Sequence, residues 1–173
     1  MRFYYYWIAL LVFVVDFITK KIIATQLELT ETISVIGNFF LITSHRNRGA
    51  AFGILQEQRL FFIIVTVVIV AAIIWYIQVS RKSAKAWLMV GLGLVLGGAV
   101  GNFLDRALYG EVVDFLMFNF GSYGFPIFNV ADSAICCGVA LILIDTLLAA
   151  KDEKKKASNG EDKGQNEHEQ QPV

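Results

Sequence analysis

Four apolar runs set the plan of the chain: Phe3 to about Ala24, Leu60 to about Val79, Ala86 to about Leu108, and Val130 to about Ala150. Each approaches the roughly 20 residues that a helix needs to cross the hydrocarbon core, so the pattern predicts four transmembrane helices. Between the first two runs the periodicity changes. Two β-prone stretches, Thr32 to Ile36 and Phe39 to Thr43, flank Gly37-Asn38, which reads as a two-residue hairpin turn. The run Asn47-Arg48-Gly49-Ala50-Ala51-Phe52-Gly53-Ile54-Leu55 follows, and its small and apolar residues suit a short segment lying at the interface. Between the third and fourth runs, Val112 to Phe118 reads as extended, and Gly121 and Gly124 supply turns ahead of Phe125-Pro126. The fold class expected is an all-α membrane protein. It has four transmembrane helices, with a small antiparallel β-sheet and an interfacial segment on the extracytoplasmic side.

The remaining 151–173 is rich in Lys, Glu, Gln and Asn and almost free of apolar side chains. Such a stretch buries too little surface to fold alone. The chain therefore divides into a four-helix transmembrane domain over 1–150 and a disordered, charged cytoplasmic tail over 151–173. With 56% hydrophobic and 17% charged residues, the composition does not suit a soluble domain. A formal net charge of zero removes any whole-chain electrostatic case for nucleic acid as a partner.

Arg2 ahead of the run from Phe3 to Val15 has the look of a secretory leader. No small-residue cleavage site follows, and Asp16-Phe17-Ile18-Thr19-Lys20-Lys21 continues a helical pattern, so the segment reads as an uncleaved first span. Arg2, the group Arg81, Lys82 and Lys85, and the group Lys151, Lys154, Lys155 and Lys156 then mark the cytoplasmic side. Both termini fall there. Lys20, Lys21, Arg46, Arg48, Arg59 and Arg106 oppose that orientation, and several of them are assigned to the site instead.

Once the helices alternate in direction, Asp16 lies roughly 20 Å and Asp105 roughly 28 Å from the cytoplasmic start of their helices. Asp132 opens an inward helix, so the charges gather at the outer leaflet. Ionisable groups within the membrane are expensive and are functional candidates by default. Asp16 with Lys20, Asn102 with Asp105 and Arg106, and Asn129 with Asp132 stand three or four residues apart and can turn inward together. Asp114 and Asp132 can face one wet cavity. Two carboxylates held close cannot both ionise easily, an arrangement that suits peptide hydrolysis: one activates water while its protonated partner hydrogen-bonds the scissile carbonyl. Asp132 as a helix N-terminal charge and Asp114 as a solvated loop residue fit the same spacing.

Asp16 with Lys20, and Asp105 with Arg106, read as braces between the first and third helices. Arg106 can also orient a carboxylate through bidentate contacts. Asn47 and Asn129 can hold a substrate backbone or cap a loop. Gly93, Gly97 and Gly101, at four-residue steps, form a ridge for close helix packing. Cys136 and Cys137 read as small buried hydrophobes. His45 has no second histidine at ligand spacing, so no metal site is expected. Asp145, near the cytoplasmic end of the fourth helix, reads as a residue that snorkels or pairs with tail lysines and takes no part in chemistry.

Several of these blocks together resemble one family. Asp16-Phe17-Ile18-Thr19-Lys20, Asn47-Arg48-Gly49-Ala50-Ala51-Phe52, Gly101-Asn102-Phe103-Leu104-Asp105-Arg106, Val112-Val113-Asp114-Phe115 and Phe128-Asn129-Val130-Ala131-Asp132 resemble, in order, the signature blocks of bacterial lipoprotein signal peptidase, or signal peptidase II. The resemblance implies an intramembrane aspartyl endopeptidase of the bacterial cytoplasmic membrane. It would cut signal peptides from diacylglyceryl-modified prolipoproteins on the N-terminal side of the lipid-modified Cys. By motif position Asp114 and Asp132 match the catalytic pair. Asp16, Lys20, Asn47, Gly49, Asn102, Asp105, Arg106 and Asn129 match supporting positions. The resemblance implies no metal or organic cofactor, contact with membrane lipid, inhibition by globomycin-type peptides and an active site near the extracytoplasmic face. The chain is expected to act as a monomer. Two other classes fit carboxylates in helices. A small proton-coupled carrier would place them near the midplane between repeats or broken helices, which the sequence does not display; a non-catalytic scaffold would use them only as braces.

Overall fold

A computed structural model describes residues 3–50, 54–80, 84–121 and 123–168. The elements run α1 (Tyr4–Gln26), β1 (Thr32–Ile36), β2 (Phe40–Asn47), α2 (Arg59–Ser80), α3 (Ala86–Tyr109), β3 (Val112–Phe120), β4 (Tyr123–Gly124) and α4 (Val130–His168). Three helical stretches, Arg59–Ser80, Ala86–Tyr109 and Val130–Lys151, are long and apolar enough to cross a membrane. α1 is of similar length but carries Asp16, Lys20 and Lys21, which lower its apolar content.

α3 is the central helix, with α1, α2 and α4 all packed on it. Its small residues make this possible. The ridge expected from Gly93, Gly97 and Gly101 faces α1: a Cβ at Gly93 would come within 2.6 Å of the Tyr5 carbonyl, and one at Gly97 within 2.5 Å of the Ala9 carbonyl. Gly91 and Gly98 give a second small face, pressed on Gly138 and Ala131 of α4. Backbones this close gain dispersion contacts, which drive helix association where lipid is as apolar as the side chains. Tyr5, Ala9, Ile77, Met89, Leu92 and Leu96 form the buried apolar cluster. α2 buries little beyond Ile77 and leaves Ile64, Val67, Val68 and Trp75 exposed. An apolar surface of that extent belongs against lipid.

Cys136 and Cys137 lie on the outward side of α4 and are exposed, contrary to the buried position expected. The face that packs on α3 is taken by Ala131, Ala134 and Gly138, and the cysteines stand on the opposite side of the turn.

The sheet is larger than the hairpin that the alternation predicts. β1, β2, β3 and β4 form an antiparallel meander in that order, and β2 pairs with β3 from Phe40↔Phe118 to Asn47↔Val112, with an irregularity between Ile42 and His45. The hairpin turn is also one residue longer. Ile36 pairs with Phe40, leaving Gly37-Asn38-Phe39 between them, closed by the Phe39 N–H on the Ile36 carbonyl at 2.9 Å. Gly37 takes φ +49°, a left-handed backbone that a glycine adopts without a Cβ clash. Phe39, Phe40, Phe118, Phe120, Phe125 and Phe128 stack across the strands.

α4 continues without a break from Lys151 to His168. Lysine, glutamate and alanine in this stretch are good helix formers. Of the expected interfacial segment, Ala51, Phe52 and Gly53 lie outside the described residues, as do Arg2, Arg81 and Lys82. The flanking part is a tight loop: the Ala50 N–H reaches the Ile54 carbonyl at 2.8 Å, and the Glu57 N–H reaches the Arg48 carbonyl at 3.2 Å.

Candidate active site

All ten candidate site residues come to one end of the bundle, where α1 and α3 finish, α4 begins and the sheet lies across them. α4 opens with reciprocal capping. Asn129 is the residue before the helix; its Oδ1 accepts the Asp132 N–H at 2.9 Å, and Asp132 Oδ2 accepts the Asn129 N–H at 3.3 Å. Two backbone donors of the first turn are satisfied, and the Asp132 carboxylate is fixed beside the helix N-terminus. The other oxygen, Asp132 Oδ1, accepts from Asn102 Nδ2 at 2.7 Å.

Asp114 approaches from β3. The strand delivers it because residues alternate faces along a sheet, and it is only 2% exposed. Asn129 Nδ2 donates to its Oδ1 at 2.7 Å, and Asn47 Nδ2, from the end of β2, donates to its Oδ2 at 2.9 Å. Asn129 is therefore hydrogen-bonded to both carboxylates. Burial, and then the charge of Asp132, push the Asp114 carboxyl up to about 7; the Asn47 and Asn129 amides and Lys20 pull the other way.

Beneath the pair lies a charged network. Lys20 Nζ contacts Asp16 Oδ2 at 2.7 Å, Asp105 Oδ2 at 2.9 Å and Asn102 Oδ1 at 2.8 Å. Lys20 is 3% exposed and Asp16 fully buried. Two carboxylates and an amide oxygen thus surround one ammonium, which is the pairing that a buried charge requires. Asp16 Oδ1 also accepts the Ala131 N–H at 2.8 Å, so a side chain of α1 caps α4. Asn102 joins the layers, accepting from Lys20 and donating to Asp132.

The charged brace between α1 and α3 runs through Lys20. Asp105 turns to Lys20. Arg106 instead donates from Nη2 to the Gly49 carbonyl at 3.1 Å and lies 4.7 Å from the ring centroid of Phe62. It pins the loop after β2 over the site rather than gripping a carboxylate. Its field still reaches Asp132, Asp114 and Asp105. Gly49 has to be small: a Cβ would stand 2.5 Å from the Ile54 carbonyl, and the Gly49 N–H is held by Asn47 Oδ1 at 2.9 Å.

Sequence reasoning missed three contributors. Glu111 receives Arg48 Nε at 3.0 Å and Arg46 Nε at 3.7 Å, tying the end of β2 to the turn after α3. Phe62 supplies the ring beneath Arg106, and the Ala131 backbone supplies the donor for Asp16. Glu111 directly precedes Val112, the residue opposite Asn47, and would have been found by pairing Val112–Phe118 with the first hairpin. The other two carry no sequence signal. Among the described residues no group of three or more His, Cys, Asp or Glu side chains could hold a metal ion.

The arrangement supplies one carboxyl ready to hold a proton near neutrality, and a second carboxylate beside it with one oxygen held by a side-chain amide. Such a pair can take a proton from water and polarise a carbonyl at once. The family model for signal peptidase (SPase) II matches residues 8–148. One solved structure, a bacterial membrane enzyme determined by the in meso method at 2.3 Å resolution, is 44% identical; the match covers 84% of this chain and 88% of that one, with a TM-score of 0.78. A second, again a bacterial membrane enzyme by the in meso method, at 1.9 Å, is 46% identical over 81% of this chain and 90% of that one, with a TM-score of 0.72.

Proposed function

Because the chain belongs to the signal peptidase II family, a membrane protease that cleaves lipoprotein signal peptides, we propose that it does so by a two-aspartate mechanism with Asp114 and Asp132 as the catalytic pair. The observation that carries this reading is that Asn129 hydrogen-bonds both carboxylates at the mouth of α4.

Asp114, buried and titrating near neutrality, holds the proton and donates it in a hydrogen bond to the scissile carbonyl. Asp132 takes a proton from the attacking water. The tetrahedral intermediate then collapses as a proton passes to the leaving amine, and the C–N bond breaks. Asn102 and Asn129 orient the pair, Lys20 with Asp16 and Asp105 supports them from below, and Asn47, Gly49 and Arg106 hold the covering loop. None of these steps draws on a metal or organic cofactor.

The substrate is a prolipoprotein carrying a diacylglyceryl group on the Cys that becomes the new N-terminus, and it reaches the site laterally from the bilayer. α1 is a fourth span, its charged residues satisfied inside the bundle. Both termini are then cytoplasmic and the active site lies near the extracytoplasmic face, as the basic residues between α2 and α3 suggest. The enzyme works as a monomer within 1–150, with 151–173 outside the catalytic unit, and a globomycin-type peptide occupies the same site.

Purified protein in detergent, given a lipid-modified precursor peptide, tests the mechanism. Wild type is expected to cleave; Asp114→Asn and Asp132→Asn are each expected to lose activity by about 10³-fold or more while remaining folded. Cleavage retained in either variant overturns the diad.

A further inference from the structure

α2 and α4 both lean on α3, and between them runs a groove of about 610 Å³ toward the end of the bundle opposite the carboxylate pair. Ala72, Ile73 and Tyr76 of α2, Leu92 of α3, and Ile142 and Asp145 of α4 line it. The walls are apolar and small, and Asp145 is the one charged lining residue. Among the described residues Asp145 has no ion-pair partner. An acid within a candidate membrane span, on the wall of an apolar groove, asks for a cation.

Distance identifies the cation. Asp132 and Asp145 stand thirteen residues apart on α4, a rise of ~20 Å. A signal peptide carries a positive n-region followed by an apolar stretch of about 7–15 residues before its cleavage site. Wound as a helix, the longer of these stretches span ~20 Å. With the scissile bond at the diad, the first Lys or Arg upstream of the apolar stretch arrives at the depth of Asp145. Its long stem adapts to small differences in length.

We infer that this groove receives the n-region end of the signal peptide, where its apolar segment begins, and that Asp145 there pairs with a basic residue of the n-region, setting preference among precursors. The inference rests on the peptidase reading above. Asp145 acts on binding, far from the reacting atoms, so its effect belongs in KM.

The test uses the full chain in lipid nanodiscs and three lipid-modified precursors that differ at one n-region position, Lys, Gln or Glu. Wild type is expected to prefer the Lys precursor over the Gln precursor by about tenfold in kcat/KM, carried by KM. Asp145→Asn should lose that preference. Asp145→Lys should reverse it in favour of the Glu precursor, a gain that misfolding cannot imitate. Equal discrimination by wild type and Asp145→Asn overturns the inference and leaves the groove to a lipid acyl chain. Failure of wild type to cleave any of the three overturns the peptidase reading, and this inference with it.

Discussion

Asp16, on α1, accepts the backbone N–H of Ala131, on α4, at 2.8 Å. The contact crosses α3 at Gly101, where a Cβ would stand 2.5 Å from Asp16 Oδ2. One hydrogen atom in place of a side chain lets a carboxylate of the first helix reach the start of the last one; Gly101 stands four residues before Asp105 on α3, and Ala131 one before Asp132 on α4.

Gly101→Ala should therefore act on the site as well as on packing. Added volume at a filled contact costs about 1–3 kcal/mol, and the displaced Asp16 would drag Lys20 and Asn102 from their partners. A lowered thermal midpoint in detergent together with at least tenfold slower cleavage is expected. Unchanged turnover would mean that the Asp16 contact does not govern the geometry of the pair.

Lys20→Met removes the ammonium that Asp16 and Asp105 share. Breaking a buried ion pair from one side costs about 3–5 kcal/mol, since the remaining charges have no water to turn to. Thermal or denaturant unfolding should register a loss of that size, larger than that of Lys21→Met, whose lysine is exposed.

The pH dependence follows from Asp114. Its carboxyl titrates near 7 instead of near the ordinary 3.8, so between those values the folded chain keeps a proton that the unfolded chain has lost. Stability contributed by this group is thus present at low pH and is lost as pH rises toward 7. In the proposed mechanism the active form carries that proton, and kcat/KM should fall on the alkaline side with an apparent pKa near 7. Carbon-13 titration should find the Asp114 carboxyl lowered in Asp132→Asn, where the neighbouring charge is gone, and raised in Asn47→Ala, where a donor to its charged form is gone. Shifts of the opposite sign would reject the assignment.

Arg106→Ala frees the loop after β2, because the Gly49 carbonyl and the Phe62 ring both lose the guanidinium. A hydrogen bond to a charged group and a cation–π contact together suggest a loss of about 2–3 kcal/mol in transition-state binding, or roughly 30- to 150-fold in kcat/KM. Arg106→Lys should recover little, since an ammonium cannot reproduce the planar stack with the same hydrogen bond.

Much of the molecule was legible in its order of residues. Apolar run length gave three spans close to their observed ends, the four-residue steps of Gly93, Gly97 and Gly101 gave the face that meets α1, and helix direction gathered the charges at one end. These are local properties: a period or a spacing survives whatever the rest of the chain does. Partners are not local. Whether Asp105 would take Lys20 or its neighbour Arg106, that β3 would extend the first hairpin and carry Asp114 inward, and that Cys136 and Cys137 would face outward depended on which helix faces met. Only three-dimensional packing decides that, because a buried charge settles on the counter-charge nearest in space, and sequence distance does not measure it.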